Sequence, residues 1–250
     1  MKNANCLIGY SGFIGSNLKN SDVLKFKDFY NTSNILDITN KKYNLCVCSA
    51  PSATKWKINQ DPLSDLGNII NLCNILKTVH FEKFVLLSTI DVYDSVDCNK
   101  DESDYTTFTG SSYGQNRGLF ENIILDLFCD KVKIIRLPAL YGKGLKKNII
   151  YDLMNGNMIE NISLETEFQW YDVSDLEYDI DRILGTKDAV HNLFPEPLLT
   201  RTIVENYFPS KLKVCLGNSN KSYRVKTKHT TSGYLYNKEV VLDKIGRFLK

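Results

Sequence analysis

Through the N-terminal half of the chain, short apolar runs rich in β-branched residues alternate with longer stretches of helical spacing. That alternation is expected of βαβ units and a parallel sheet. The runs predict strands over Asn5 to Gly9, Val23 to Tyr30, Asn44 to Ser49, Lys83 to Thr89 and Lys131 to Leu137. Between them, Leu63, Leu66, Ile69, Ile70, Cys73, Ile75 and Leu76 recur at helical spacing, as do Leu119, Phe120, Ile123, Ile124, Leu127 and Phe128. Each set is expected to cover a sheet face. Right-handed crossovers then give an α/β, doubly wound parallel sheet of Rossmann type, with its ligand crevice at the C-terminal ends of the strands. After Gly142 the alternation weakens, and Asn155-Gly156-Asn157, Pro195-Glu196-Pro197 and Gly217-Asn218-Ser219-Asn220 signal turns. The expected organisation is a Rossmann core over 1–142, with the remaining core elements and a small mixed lobe over 143–250, all in one structural unit. Val240, Val241, Ile245 and Leu249 predict a closing helix.

Composition narrows the partners. With 250 residues and 43% hydrophobic content, disordered and fibrous classes are excluded. Lys and Arg number 31 against 29 Asp and Glu, a formal charge of +2 with no basic block, so neither nucleic acid nor a membrane surface is expected as a partner. The longest apolar runs, Leu45 to Cys48 and Phe84 to Leu87, are too short to span a membrane, and the chain reads as soluble and cytoplasmic. Seven scattered cysteines do not form a disulfide framework, and Cys46 and Cys48 read as packing residues on one face of a strand. His80, His191 and His229 lie far apart in sequence, so no metal site is expected.

The strongest local motif is Gly9-Tyr10-Ser11-Gly12-Phe13-Ile14-Gly15, directly after the first strand and opening a helix through Ser16-Asn17-Leu18. Glycine permits a tight turn and lets backbone approach a phosphate closely, so this segment is a candidate pyrophosphate site. An acid at the end of the second strand usually binds the adenosine ribose of NAD. Here that place reads Asn31-Thr32-Ser33, neutral donors that admit NAD or NADP.

With four further segments, the loop resembles the extended short-chain dehydrogenase/reductase superfamily, the NAD-dependent epimerase/dehydratase group that works mostly on nucleotide sugars. Gly9 to Gly15 looks like its G-x-x-G-x-x-G loop. Phe84 to Thr89 with Val92-Tyr93 looks like its active-site strand, and Tyr113-Gly114-Gln115-Asn116-Arg117 like its Y-x-x-x-K. Arg136-Leu137-Pro138 with Tyr141-Gly142 is similar to the stretch around the nicotinamide, and Trp170 to Leu176 to its late V-D-D segment. The resemblance spans nearly the whole chain. It implies NAD or NADP held by Gly9, Ser11, Gly12, Phe13, Ile14, Gly15, the Asn31-Thr32-Ser33 corner, Ala50, Pro51, Ser88, Tyr113, Arg117, Leu137 and Pro138. It implies a nucleotide-linked sugar met by Thr89, Asp91, Tyr113, Lys146, Gln169 and Trp170, and a homodimer. Ile123, Leu127 and Phe128 would suit either that dimer interface or a sheet face.

The chemistry can be stated without the family. Moving a hydride at a carbinol carbon requires a proton to leave or reach its oxygen, and a phenol beside that oxygen serves. Tyr113 is the candidate, with the cation at i+4, Arg117, lowering its pKa and Thr89 orienting the substrate oxygen. Arginine in place of the family lysine is the main departure, and it leaves slowed, altered or lost catalysis open. Thr89-Ile90-Asp91 sets an isoleucine where the family's 4,6-dehydratases carry an acid, which disfavours dehydration; Asp91 is left as a base, a sugar ligand or a loop carboxylate. Lys146 is a candidate for a substrate diphosphate, with a solvated basic loop as the alternative. The expected activity is reduction of a keto sugar or oxidation of its carbinol. An epimerase that retains NAD and a catalytically impaired NAD(P)-binding module stay open beside it.

Overall fold

The computed structural model describes residues 4–96, 100–104 and 110–250. In chain order its strands are β1 (Ala4–Ile8), β2 (Phe26–Tyr30), β3 (Lys42–Cys48), β4 (His80–Thr89), β5 (Val132–Leu137), β6 (Ala139–Tyr141), β7 (Glu167–Phe168), β8 (Trp170–Asp172), β9 (Val190–Asn192) and β10 (Leu198–Leu199). The α-helices are α1 (Phe13–Leu18), α2 (Lys55–Gln60), α3 (Pro62–Leu76), α4 (Ser112–Phe128), α5 (Ile149–Asn155), α6 (Leu176–Leu184), α7 (Thr200–Tyr207) and α8 (Lys238–Phe248). They form two compact units. The first takes in 4–94, 110–136 and 175–191; the second takes in 95–96, 100–104, 137–174 and 192–250.

The first unit is organised around a six-stranded sheet of order β2-β1-β3-β4-β5-β9, in which β1 runs parallel to β2 and β3, and β3 parallel to β4. Interior strands are covered on both faces, which is why Cys6 to Ile8 and Leu45 to Cys48 are continuously buried rather than alternating. The second strand begins at Phe26 rather than Val23, because the chain first turns through Lys25 in a left-handed conformation (φ 48). Gly9 likewise leaves the first strand, at φ +84.

Helix α3 starts at Pro62, with the Asp61 carboxylate accepting from Ser64 N (3.2 Å). It buries Ile69, Leu72, Cys73 and Leu76, each worth about 1.5–3 kcal/mol for a full-sized apolar side chain. Leu63 and Ile70, which the spacing assigned to that face, are exposed, and Asp65 is buried among its apolar residues instead. On α4, Phe120 and Ile124 are buried, and Ile123, Leu127 and Phe128 pack on the same core, with Phe128 against Phe81 and Phe84. Those three side chains therefore serve the sheet face. Cys6, Cys46, Cys48 and Cys73 are free and buried there, and burial pushes the Cys48 thiol up to about 12 and the Cys73 thiol to about 11. Cys98 lies outside the described residues.

In the second unit β6 pairs in parallel with β8, and β7 antiparallel with β10. Tyr141, Ile150, Leu153, Trp170, Ile203, Val204, Val241 and Ile245 form its buried core. The predicted closing helix is α8, entered through Asn237, whose side chain accepts from Val240 N (2.9 Å). Among the described residues, no helix is long and apolar enough to cross a membrane.

Candidate active site

Strand order reverses between β1 and β3, and in open α/β sheets ligands bind outside the strand ends at such a switch point. The turn after β1 and the segment after β3 meet there. Gly9 N donates to Tyr30 O (2.7 Å), Ser49 N to Ile8 O (2.9 Å), and Ser49 Oγ contacts Ile8 O (3.0 Å) and Gly9 O (3.2 Å). Each glycine of the turn answers a different demand. A Cβ on Gly9 would lie 2.6 Å from Ser49 Oγ, and one on Gly15 would lie 2.1 Å from Gly9 O, so both are required by the protein's own packing. Among the described residues, a Cβ on Gly12 would meet only Gly9 O, at 3.4 Å, and Gly12 has φ −77. The fold does not demand glycine at 12. What it leaves is an exposed cradle that a methyl group would fill, the fit expected of a site for a pyrophosphate.

Ser11 is exposed beside this cradle, with Asn31 Nδ2 3.4 Å from its Oγ; Asn31 Oδ1 accepts from the Ser33 N–H (2.9 Å) and hydroxyl (2.7 Å), and Thr32 is exposed. Phe13 and Ile14 open α1, and Ala50 and Pro51 follow β3, all four half-buried. The structure thus gathers these sequence-predicted residues at one strand end. Gly12→Ala is expected to fold with its melting temperature nearly unchanged and to bind a dinucleotide at least about tenfold more weakly, by closing off the backbone. Gly15→Ala is expected to be strongly destabilised. Thermal melting and nucleotide titration of both variants check this.

The second part of the site is the start of α4. Ser111 Oγ accepts from Gly114 N (3.2 Å), and Gly114 packs so closely on the segment after β4 that a Cβ there would lie 1.9 Å from Asp91 O. That close approach carries Tyr113 to Thr89. Tyr113 is 6% exposed and its hydroxyl hydrogen-bonds the side chains of Thr89 and Arg117, while its backbone N–H donates to Asn59 Oδ1 of α2 (3.0 Å). Thr89 Oγ1 also accepts from Asp91 N (3.2 Å), and Asp91 pairs with Lys55 Nζ at 2.5 Å. Burial raises the Tyr113 pKa above the ordinary phenol value; Arg117 pulls it down, Asp91 pushes it up, and burial wins. At neutral pH Tyr113 therefore holds its proton.

Arg117 is buried. Its guanidinium stacks on the Tyr113 ring (4.8 Å to the centroid), forks onto both Asp65 oxygens (2.9 and 3.0 Å) and donates to Ser52 O (2.8 Å). Asn116 Nδ2 reaches the same Asp65 (2.9 Å). The cation expected to serve the phenol and ribose thus has a full counter-ion, a partner that the sequence reading did not identify. Below it, Glu121 accepts from Arg136 in two-pronged fashion (2.7–3.2 Å) and from Ser88 Oγ (2.5 Å), while Arg136 donates to Tyr93 Oη (2.7 Å). Ser88, expected at the cofactor, has its hydroxyl committed to this network.

Leu137, Pro138, Lys146, Gln169 and Trp170 belong to the second unit. Leu137 and Pro138 are buried and Lys146 is exposed ahead of α5. Gln169 is 1% exposed, and its amide is spent on Pro195 O, Val225 O and Val225 N, so it is a structural residue rather than a sugar ligand. Trp170 is in the core, its ring 5.4 Å from that of Phe168, which places it as packing as well. Among the described residues no three His, Cys, Asp or Glu side chains gather as a metal site.

No family model matches the sequence, and no curated protein does. Solved structures match the fold. An NAD-dependent NDP-hexosamine 5,6-dehydratase of tunicamycin biosynthesis, TunA, is 16% identical, with 99% of this chain and 97% of that one covered at TM-score 0.74. MoeE5 in complex with UDP-glucose and NAD is also 16% identical, with 98% and 97% covered at TM-score 0.74. RMD from Pseudomonas aeruginosa, complexed with NADPH, is 18% identical, with 98% of each covered at TM-score 0.73. These likenesses establish the Rossmann-type α/β fold over the whole length. The expectation against dehydration gains no support from them, since a dehydratase is among them. An isoleucine at position 90 rules out an acid there, not elsewhere.

Proposed function

We propose that the chain is an NAD(P)-dependent enzyme of the extended short-chain dehydrogenase/reductase family that moves a hydride to or from a carbon of a nucleotide-linked sugar. The observation that carries this reading is the buried phenol of Tyr113, hydrogen-bonded to Thr89 in the same unit as the Gly9 to Gly15 turn. The turn's open position at Gly12 suits a pyrophosphate, and the Asn31-Thr32-Ser33 corner offers neutral donors to the adenosine ribose of NAD or NADP. A dinucleotide bound there supplies or takes up the hydride. Tyr113 gives its proton to the sugar oxygen in the reducing direction and takes one in the other, while the Thr89 hydroxyl orients that oxygen. Because Tyr113 rests protonated, it is ready to give a proton to a keto oxygen, and in the oxidising direction it must first release that proton. A 4-epimerase would use the same residues in both directions, and would differ in carrying its dinucleotide through purification.

One observation favours a second reading, a dinucleotide-binding module without catalysis: Arg117 divides its charge between the phenol and the Asp65 carboxylate instead of giving it to the phenol alone. Turnover separates the two. Purified protein is mixed with NAD or NADP and, in turn, UDP-glucose, UDP-glucuronic acid and UDP-N-acetylglucosamine, and the reduced nicotinamide is followed by absorbance. Formation of reduced nucleotide with any of the three, absent in Tyr113→Phe, is the expected result. Tight dinucleotide binding without turnover of any of them would favour the module.

A further inference from the structure

The proposed chemistry needs a source of protons for Tyr113, because a phenol that has given up its proton once must be recharged. Arg117 is unsuited to that task. A guanidinium does not release a proton in the physiological range, and this one is held by Asp65 and Ser52 O inside the protein. On the other side of the phenol a different path leads outward. Tyr113 hydrogen-bonds Thr89; Thr89 Oγ1 lies 3.5 Å from Asp91 Oδ2; and Asp91 Oδ1 lies 2.5 Å from Lys55 Nζ, whose side chain is 39% exposed. All four residues belong to the first unit. The long Thr89 to Asp91 contact is of a kind that tightens when substrate arrives.

We infer that Lys55 is the proton reservoir of the site, recharging Tyr113 through Asp91 and Thr89. This rests on the oxidoreductase reading above. The substrate carbonyl gains a hydride on carbon from the reduced dinucleotide and a proton on oxygen from the Tyr113 O–H. The Tyr113 oxygen takes the Thr89 hydroxyl proton, Thr89 takes one passed by Asp91, and Asp91 takes it from the Lys55 ammonium. Lys55, left as an amine at the protein surface, takes a proton from water, so each turnover consumes one solvent proton. Oxidation runs the same chain in reverse.

Lys55→Arg is the informative variant, because it keeps the charge beside Asp91 and removes the exchangeable proton. With whichever of the three UDP-sugars wild type turns over, Lys55→Arg and Lys55→Ala are expected to lose about tenfold or more in kcat at neutral pH, with dinucleotide affinity unchanged. Ethylamine added to Lys55→Ala is expected to restore several-fold of the loss. A second readout needs no substrate: the tyrosinate absorbance of the free protein, taken as the difference from the corresponding Tyr113→Phe variant. The charges facing Tyr113 are Asp91 and Arg117, with Lys55 and Asp65 behind them. Lys55→Gln, which leaves Asp91 uncompensated, is therefore expected to ionise Tyr113 at higher pH than Lys55→Arg. A wild-type kcat in Lys55→Arg, or coincident tyrosine titrations in the two variants, would overturn the relay while leaving the oxidoreductase reading intact. Absence of turnover in wild type would overturn both.

Discussion

Asp65→Asn is expected to lower the stability of the protein by about 3–5 kcal/mol, and its melting temperature by on the order of 10 °C. Asp65 and Arg117 are 8% and 5% exposed at their side chains and are joined by two hydrogen bonds of 2.9–3.0 Å. Removing the negative charge leaves a guanidinium in low dielectric against neutral groups: the Ser52 carbonyl, the Tyr113 side chain and the single amide oxygen of the new asparagine. It also turns an amide N–H₂ toward donors already present, Arg117 Nη and Asn116 Nδ2. Replacing both partners with apolar residues of similar size, Asp65→Leu with Arg117→Met, is expected to recover much of the loss, because the larger penalty comes from the orphaned charge. Chemical denaturation of the three variants checks the cycle. Equal stability of Asp65→Asn and wild type would mean that the pair is not buried as described. The same variant carries a functional signature: an uncompensated Arg117 should draw the Tyr113 pKa downward, toward or below the ordinary phenol value of about 10.

Tyr113→Phe is expected to reduce turnover by about 10²–10⁴-fold while leaving dinucleotide affinity and melting temperature close to wild type. The ring that stacks under Arg117 is retained, and only the hydroxyl bonded to Thr89 is lost. The pH profile follows from the same environment. Burial outweighs Arg117 and raises the Tyr113 pKa, so the acid form persists through neutral pH and is lost only as the pH climbs through the folded-state value. The rate of keto-sugar reduction should therefore stay level through pH 7–9 and fall above about 10, with a later fall than in Asp65→Asn. A variant that loses nucleotide binding together with turnover would reassign Tyr113 to a packing role.

Where apolar residues lined both faces of a strand, the fold was legible in the sequence. β1, β3, β4 and β5 stand within three residues of where the runs predict them. The start of β2 was not legible, because the left-handed turn at Lys25 carries no glycine or proline to announce it. The glycine turn could be found by its spacing, and Tyr113 and Thr89 by the resemblance of their segments to a known family. Asp65 was missed for a physical reason: the apolar positions of α3 also allowed a stripe through Leu63 and Ile70, which the structure exposes. The true stripe runs 65, 69, 72, 76, with a carboxylate at its head, and α4 presents 113, 117, 120, 124, with a guanidinium at the facing level. Two opposite charges, each set among the buried positions of neighbouring helices, were the available signal. Lys55 and Asn59 share one face of α2, at i and i+4, but that helix is only six residues long and leaves no hydrophobic period to detect. Gln169 and Trp170 failed in the opposite sense, since an aromatic, amide-bearing segment reads the same whether it lines a ligand or fills a core.

The measurement that bears most directly on the account is a fluorescence titration of the purified protein with NADH and NADPH, run in parallel on Gly12→Ala. Saturable binding of at least one nucleotide by wild type, weakened about tenfold or more in a Gly12→Ala protein of unchanged melting temperature, is the predicted result. If neither nucleotide binds, or if Gly12→Ala binds as well as wild type, the turn after β1 is not a dinucleotide site, and the reading of Tyr113 as a hydride-transfer acid loses its basis.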